Sequence, residues 1–123
     1  MENLFIEYPK CSTCQKAKKW LETHQIPFQD RHIIEETLSE AELTKWIQQS
    51  GVELKRFFNT SGLKYKELNL KEKLPTMSEK EQIKLLASDG MLIKRPLLIT
   101  TNHILIGFRE SEWEKELLKE VSK

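Results

Sequence analysis

The sequence predicts an α/β fold with four strands in one mixed sheet, and three observations carry that reading. Residues 4–34 read as strand, helix, strand; residues of about 38–90 have helical period and two capping boxes; and the chain after 97 changes to two short apolar runs followed by a last helical stripe. The order is βαβ, a helical insert, then ββα. A length of 123 residues suits one domain over 1–123, since a second core would leave neither half enough apolar surface to bury.

The first strand is Leu4-Phe5-Ile6-Glu7-Tyr8, an apolar and aromatic run closed by Pro9. Between Ser12 and His24 the small and apolar residues Cys14, Ala17, Trp20 and Leu21 recur at helical spacing, with Lys16, Lys18, Lys19 and Glu22 between them. Ile26-Pro27 interrupts that pattern, and Phe28 to Ile34 reads as a second strand. Two strands joined by a helix form a right-handed crossover and are expected to run parallel. Ser39-Glu-Ala-Glu42 and Ser78-Glu-Lys-Glu81 have the spacing of capping boxes. The first opens a helix with Leu43, Trp46 and Ile47 on one face and Ser50-Gly51 at its end. The second opens a helix that buries Ile83, Leu85 and Leu86 and stops near Asp89-Gly90. Val52 to Leu74 reads as short helices joined by a turn at Asn59-Thr-Ser-Gly62. Leu97 to Thr100 and His103 to Ile106, joined by Thr101-Asn102, form a buried hairpin. Glu110 to Val121 then sets Trp113, Leu117, Leu118 and Val121 on one helical face.

Composition excludes several classes. Twenty Lys plus Arg against nineteen Asp plus Glu leave a net charge of +1, too little for a protein that coats nucleic acid directly. With 38% hydrophobic and 32% charged residues the chain can build a core and solvate its surface, so it is not disordered. No apolar run approaches the roughly 18 to 20 residues of a membrane span. The N-terminal residues lack a basic start, a long apolar stretch and a small-residue cleavage site, which predicts a cytoplasmic protein without a membrane partner.

Two cysteines two residues apart are then informative, because a reducing compartment disfavours structural disulfides. Cys11-Ser12-Thr13-Cys14 lies where a strand hands over to a helix. Cys11 is expected in the cap region, where open backbone N–H groups and the helix dipole lower a thiol from about 8.5 to about 7 or below. Cys11 is therefore the candidate nucleophile. Cys14, one turn along, is placed to resolve a mixed disulfide, with Ser12 and Thr13 shaping the turn between them. A zinc site would need two more ligands, and His24, His32 and His103 are scattered. Cys14 also reads as a small core residue on the face of Ala17 and Leu21. No metal or bound organic cofactor is expected.

Lys94-Arg95-Pro96-Leu97 precedes the hairpin. Proline is tolerated at the start of a strand, and a cis bond before Pro96 would make it a structural device beside the cysteines. Arg95 and Arg109 are either solvated surface charges or cations available to a thiolate or an oxyanion.

Tyr8-Pro-Lys-Cys-Ser-Thr-Cys-Gln-Lys-Ala-Lys-Lys-Trp-Leu21, with Tyr65-Lys-Glu-Leu68, Lys94-Arg-Pro-Leu-Leu98 and Gly107-Phe-Arg109, resembles the arsenate reductase (ArsC) and Spx family, including its CxxC-containing reductase-like branch from Gram-positive bacteria. The resemblance spans nearly the whole chain. It implies a thioredoxin-like or glutaredoxin-like fold with a helical insert, a cis-proline at Pro96, Cys11 as the nucleophile, and Arg95 and Arg109 at two of three anion-binding positions. The third falls near Asn59, with Arg56 three residues away. The arsenate reductases of the family carry one active-site cysteine in a loop of the form His-Asn-Pro-x-Cys-Gly-Thr-Ser-Arg, whereas this loop begins with Tyr8, has Cys14 in place of Ser and continues with Gln15. Loss of one guanidinium forfeits a charge-assisted contact of about 1.5 to 3 kcal/mol. The first expectation is accordingly a thiol-disulfide oxidoreductase supplied by an external reductant, a thioredoxin-like or glutaredoxin-like protein or a low-molecular-weight thiol. Thiol-dependent reduction of arsenate is the second. The third is an Spx-like redox switch that binds the C-terminal domain of the RNA polymerase α subunit, with Gly51 at the position of the polymerase-contacting glycine.

Overall fold

The computed structural model describes residues 3–118. The chain divides into two compact units, residues 1–31 with 95–123, and residues 32–94. The second unit is the helical insert, a few residues longer at each end than the expected 38–90.

The first unit begins with β1 (Asn3–Glu7), α1 (Ser12–Thr23) and β2 (Phe28–His32), and resumes with β3 (Leu97–Ile99), β4 (Ile104–Ile106) and a closing helical segment. The sheet is mixed, in the order β2-β1-β3-β4. β1 pairs antiparallel with β3, Phe5 opposite Leu98, and β3 pairs antiparallel with β4, Leu98 opposite Leu105. The Thr101-Asn102 turn is held from its flanks: Thr100 N–H donates to the His103 carbonyl at 2.8 Å, and His103 N–H donates to Thr100 Oγ1 at 2.8 Å. This is the local bonding that lets a weak turn pair close a hairpin.

One face of this sheet carries a core cluster around Phe5, Leu98 and Leu105, and Ile6 and Leu97 on the other face are buried as well. Phe5, Ala17, Trp20, Leu21, Leu98, Leu105, Trp113 and Leu117 form a single buried cluster. The helical spacing of Ala17, Trp20 and Leu21 puts all three on the side of α1 that meets the sheet. The closing segment is α-helical over Glu110–Trp113 and widens into a π turn over Glu114–Leu118. Trp113 and Leu117 are buried as expected and Leu118 is half-buried, while Val121 lies outside the described residues.

β2 is shorter than the expected Phe28 to Ile34. The reason is local: His32 Nδ1 accepts hydrogen bonds from the N–H groups of Ile34 and Glu35, both at 3.1 Å, and its carbonyl accepts from Glu36 N–H at 2.9 Å. An imidazole that caps the amides two and three residues on turns the chain out of the strand direction.

The insert contains α2 (Glu40–Ser50), α3 (Leu63–Glu67), α4 (Leu70–Lys73) and α5 (Glu79–Ser88), with 3-10 turns at Leu54–Phe57, Leu74–Thr76 and Gly90–Leu92. Both capping boxes are present, Ser39 with Glu42 and Ser78 with Glu81. Gly51 ends α2 at φ +68°, a left-handed conformation that glycine adopts without strain. Gly90 is required by close approach, since a Cβ there would stand 2.4 Å from the Ile33 carbonyl oxygen. α2 packs on α5. Leu86 is fully buried, whereas Ile83 and Leu85 are only half-buried, because a helix packed on α2 and the Gly90–Leu92 turn but open to solvent along Lys80, Lys84 and Ser88 buries a narrower stripe than a fully enclosed one. Asn59 is occupied within the insert: its N–H donates to the Leu92 carbonyl at 2.7 Å and its Oδ1 accepts from Ser61 at 3.3 Å.

Candidate active site

β1 ends at Glu7, and Tyr8-Pro9-Lys10 carries the chain to Cys11, which is the N-cap of α1 in an extended conformation. The Cys11 N–H donates to the Tyr8 carbonyl at 2.9 Å and the Cys11 carbonyl accepts from Gln15 N–H at 3.0 Å. Gln15 also reaches back with its side-chain amide to the Pro9 carbonyl at 2.8 Å. The Cys11 side chain closes no cap bond of its own. Its sulfur lies within the field of the open first turn of α1, near the N–H groups of Thr13 and Cys14.

The two thiols are free and differ in exposure: Cys11 is half-buried and Cys14 fully buried. They also differ in acidity. Burial works against ionisation of Cys11, but the backbone N–H of Cys14, the Cys14 thiol, the Arg95 guanidinium and the Thr13 N–H together outweigh it and hold the thiol below its ordinary range. Cys14 is pushed up to about 12, first by burial and then by the adjacent Cys11 sulfur; Tyr8 N–H and Arg95 oppose the rise. The pair is thus one thiol made more acidic beside one thiol kept protonated.

Arg95 comes to this site from the start of the hairpin. The Arg95–Pro96 peptide bond is cis. The guanidinium lies over the Tyr8 ring, with Cζ 5.2 Å from the ring centroid, and its Nε and Nη1 are buried without a hydrogen-bond partner among the described residues. Arg109 is placed differently. It is exposed as the N-cap of α6 (Glu110–Trp113), and its guanidinium makes no hydrogen bond or ion pair among the described residues. Ser12 and Thr13 are the first two residues of α1, both exposed, and of them Thr13 acts on Cys11 through its backbone.

A further polar cluster is one that sequence patterns did not reveal. Glu7 is 3% exposed, Lys18 Nζ lies 3.6 Å from its Oε2, and the same Nζ lies 2.8 Å from Asp30 Oδ2. The signal that could have found it is a lone carboxylate inside an apolar strand, Leu4-Phe5-Ile6-Glu7. Burial and then the Asp30 carboxyl raise Glu7 to about 7, against the pull of Lys18. Across the interval from about 4.5 to about 7 the folded chain therefore holds a proton that the unfolded chain has released. Stability is highest below that interval and falls as pH rises through it, by an amount of order 3 kcal/mol. Glu7→Gln is expected to flatten this slope, as measured by urea unfolding at pH 5 and pH 7.5; an unchanged slope would assign it to other groups.

Comparison with known proteins decides the family. The sequence pattern of the ArsC family matches residues 6–116. The chain belongs to the ArsC family. It is 56% identical over 115 residues to the uncharacterized protein YusI of Bacillus subtilis (strain 168), covering 94% of this chain and 98% of that one. It is 32% identical over 111 residues to the global transcriptional regulator Spx 2 of Lactococcus lactis subsp. lactis, covering 85% of this chain and 77% of the regulator. Among solved structures, an ArsC family related protein from Bacteroides fragilis superposes with a TM-score of 0.89 at 55% identity, covering 94% of this chain and 97% of that one. This ArsC-family chain shares their thioredoxin-like α/β fold. Among the described residues no helix is long and apolar enough to cross a membrane.

Proposed function

We propose that this ArsC-family chain is a cytoplasmic thiol-disulfide oxidoreductase in which Cys11 attacks and Cys14 resolves. The observation that carries the reading is the opposite displacement of two thiols one helical turn apart. In the reduced protein the Cys11 thiolate attacks one sulfur of a substrate disulfide. A mixed disulfide forms and the other sulfur leaves as a thiolate. Consuming the Cys11 charge removes two of the influences that keep Cys14 protonated, while the Tyr8 N–H and the Arg95 cation remain to stabilise a developing Cys14 thiolate. Cys14 then gives up its proton and attacks Cys11, releasing the substrate as a thiol and leaving a Cys11–Cys14 disulfide. Two electrons from an external thioredoxin-like protein or small thiol restore the dithiol. No metal or organic cofactor enters this cycle.

Two further readings each have an observation behind them. The buried, unpartnered N–H groups of Arg95 beside Cys11 favour an oxyanion such as arsenate as substrate. The relative named a global transcriptional regulator favours a redox-controlled partner of RNA polymerase, through the C-terminal domain of its α subunit. The deciding experiment measures the reduction potential of the pair in a thiol-disulfide buffer and Cys11 alkylation against pH. A thiolate midpoint below about 8.5 with a potential of about −270 to −200 mV supports the oxidoreductase. A Cys11 that alkylates as an ordinary thiol overturns it. A pair oxidised readily by peroxide and reduced slowly moves the reading to the switch, tested by pull-down of the polymerase subunit.

A further inference from the structure

Tyr8 meets both cysteines and Arg95. Its carbonyl holds the Cys11 N–H at 2.9 Å, its own N–H is directed at the Cys14 sulfur, and its ring lies under the Arg95 guanidinium with Cζ 5.2 Å from the centroid. The third contact is of a different kind from the other two, which use the backbone and would survive most substitutions.

A guanidinium whose Nε and Nη1 are out of water carries a desolvation cost that a carboxylate would ordinarily offset. A carboxylate here would also cancel the positive charge that Arg95 presents to the Cys11 sulfur. Arg95 has no ion pair with a carboxylate among the described residues. The face of an aromatic ring offers the alternative, because its quadrupole attracts a cation without carrying a negative charge. We propose that Tyr8 is a positioning residue for the thiol chemistry, its ring seating the Arg95 guanidinium beside the Cys11 sulfur as an uncompensated cation. The proposal rests on the reading of Cys11 as the nucleophile, and it concerns how that nucleophile is kept ionised.

The test follows the pH profile of iodoacetamide modification of Cys11 in the reduced full-length chain. Tyr8→Leu is expected to raise the midpoint and slow modification at pH 6.5 roughly three- to tenfold, the scale of a lost cation–π contact. Tyr8→Phe keeps the face of the ring and is expected to keep the wild-type midpoint. Pentafluorophenylalanine at position 8 has nearly the shape of phenylalanine with the quadrupole reversed, and is expected to raise the midpoint as Tyr8→Leu does, so the result does not depend on how well the leucine variant folds. Arg95→Gln raises the midpoint by itself, and adding Tyr8→Leu to it changes nothing more. A fluorinated ring that behaves as Tyr8→Phe, or effects of Tyr8→Leu and Arg95→Gln that simply add, would overturn the proposal. A wild-type Cys11 with an ordinary thiol midpoint would instead overturn the reading of the nucleophile itself.

Discussion

Cys11→Ser is expected to lower turnover of a model disulfide by roughly a thousandfold or more, because a serine hydroxyl supplies no anion near neutral pH and forms no mixed disulfide. The loss should fall on the chemical step, with the fold intact, since residue 11 is an N-cap and serine is a favoured residue at that position. Cys14→Ser separates the two roles. The position is fully buried and serine is nearly isosteric, so Cys11 should alkylate close to its wild-type midpoint while the mixed disulfide with substrate accumulates. Mass spectrometry of the Cys14→Ser chain after exposure to a small disulfide reads that species directly. Full turnover by Cys11→Ser would sink the mechanism, and a Cys14→Ser chain that cycles without a trapped adduct would remove Cys14 from it.

Trp113→Ala is expected to cost about 3 to 5 kcal/mol, the largest loss of stability from any single truncation in the first unit. Trp113 is fully buried and meets three other rings edge to face: Phe108 at 4.8 Å, Trp20 at 5.8 Å and Phe5 at 6.5 Å between centroids. It thereby ties the closing helix to α1 and to β1 at once. A loss of that size is a large part of the roughly 5 to 15 kcal/mol by which a domain is stable. Trp113→Phe should cost markedly less, because it keeps an aromatic ring and removes an indole N–H that is buried without a partner among the described residues. Urea unfolding followed by far-ultraviolet circular dichroism distinguishes the two. Equal losses for Ala and Phe would mean that shape at this position outweighs the unsatisfied donor.

Features that depend on near neighbours in the chain are legible in the amino-acid sequence. Ser39 with Glu42 and Ser78 with Glu81 are bonded three residues apart, and both boxes form. The placement of Cys11 at the cap of a helix follows from a proline-closed strand running straight into an amphipathic stripe, and the N–H groups of Cys14 and Thr13 in that cap are the local part of what lowers the thiol. Local patterns fall short where a side chain or a packing contact intervenes. His32 takes two backbone amides and ends β2 early, and the narrow contact of α5 leaves Ile83 and Leu85 half-exposed. Arg95 and Arg109 are equivalent in sequence, as isolated cations beside turns. Only Arg95 is carried to the sulfur, while Arg109 caps α6 in solvent.

The amino-acid sequence by itself determined the order of elements, the helix starts, the candidate nucleophile and the family, since each rests on spacing within a few residues or on residue type. Only the tertiary structure decided how that nucleophile is tuned. Tyr8 under Arg95 joins positions 87 residues apart, and Glu7 with Lys18 and Asp30 joins two strands through a helix. Such pairs are set by strand order, helix rotation and the burial that follows from both. No local pattern encodes them, because the energy of a charge depends on what the rest of the chain folds around it.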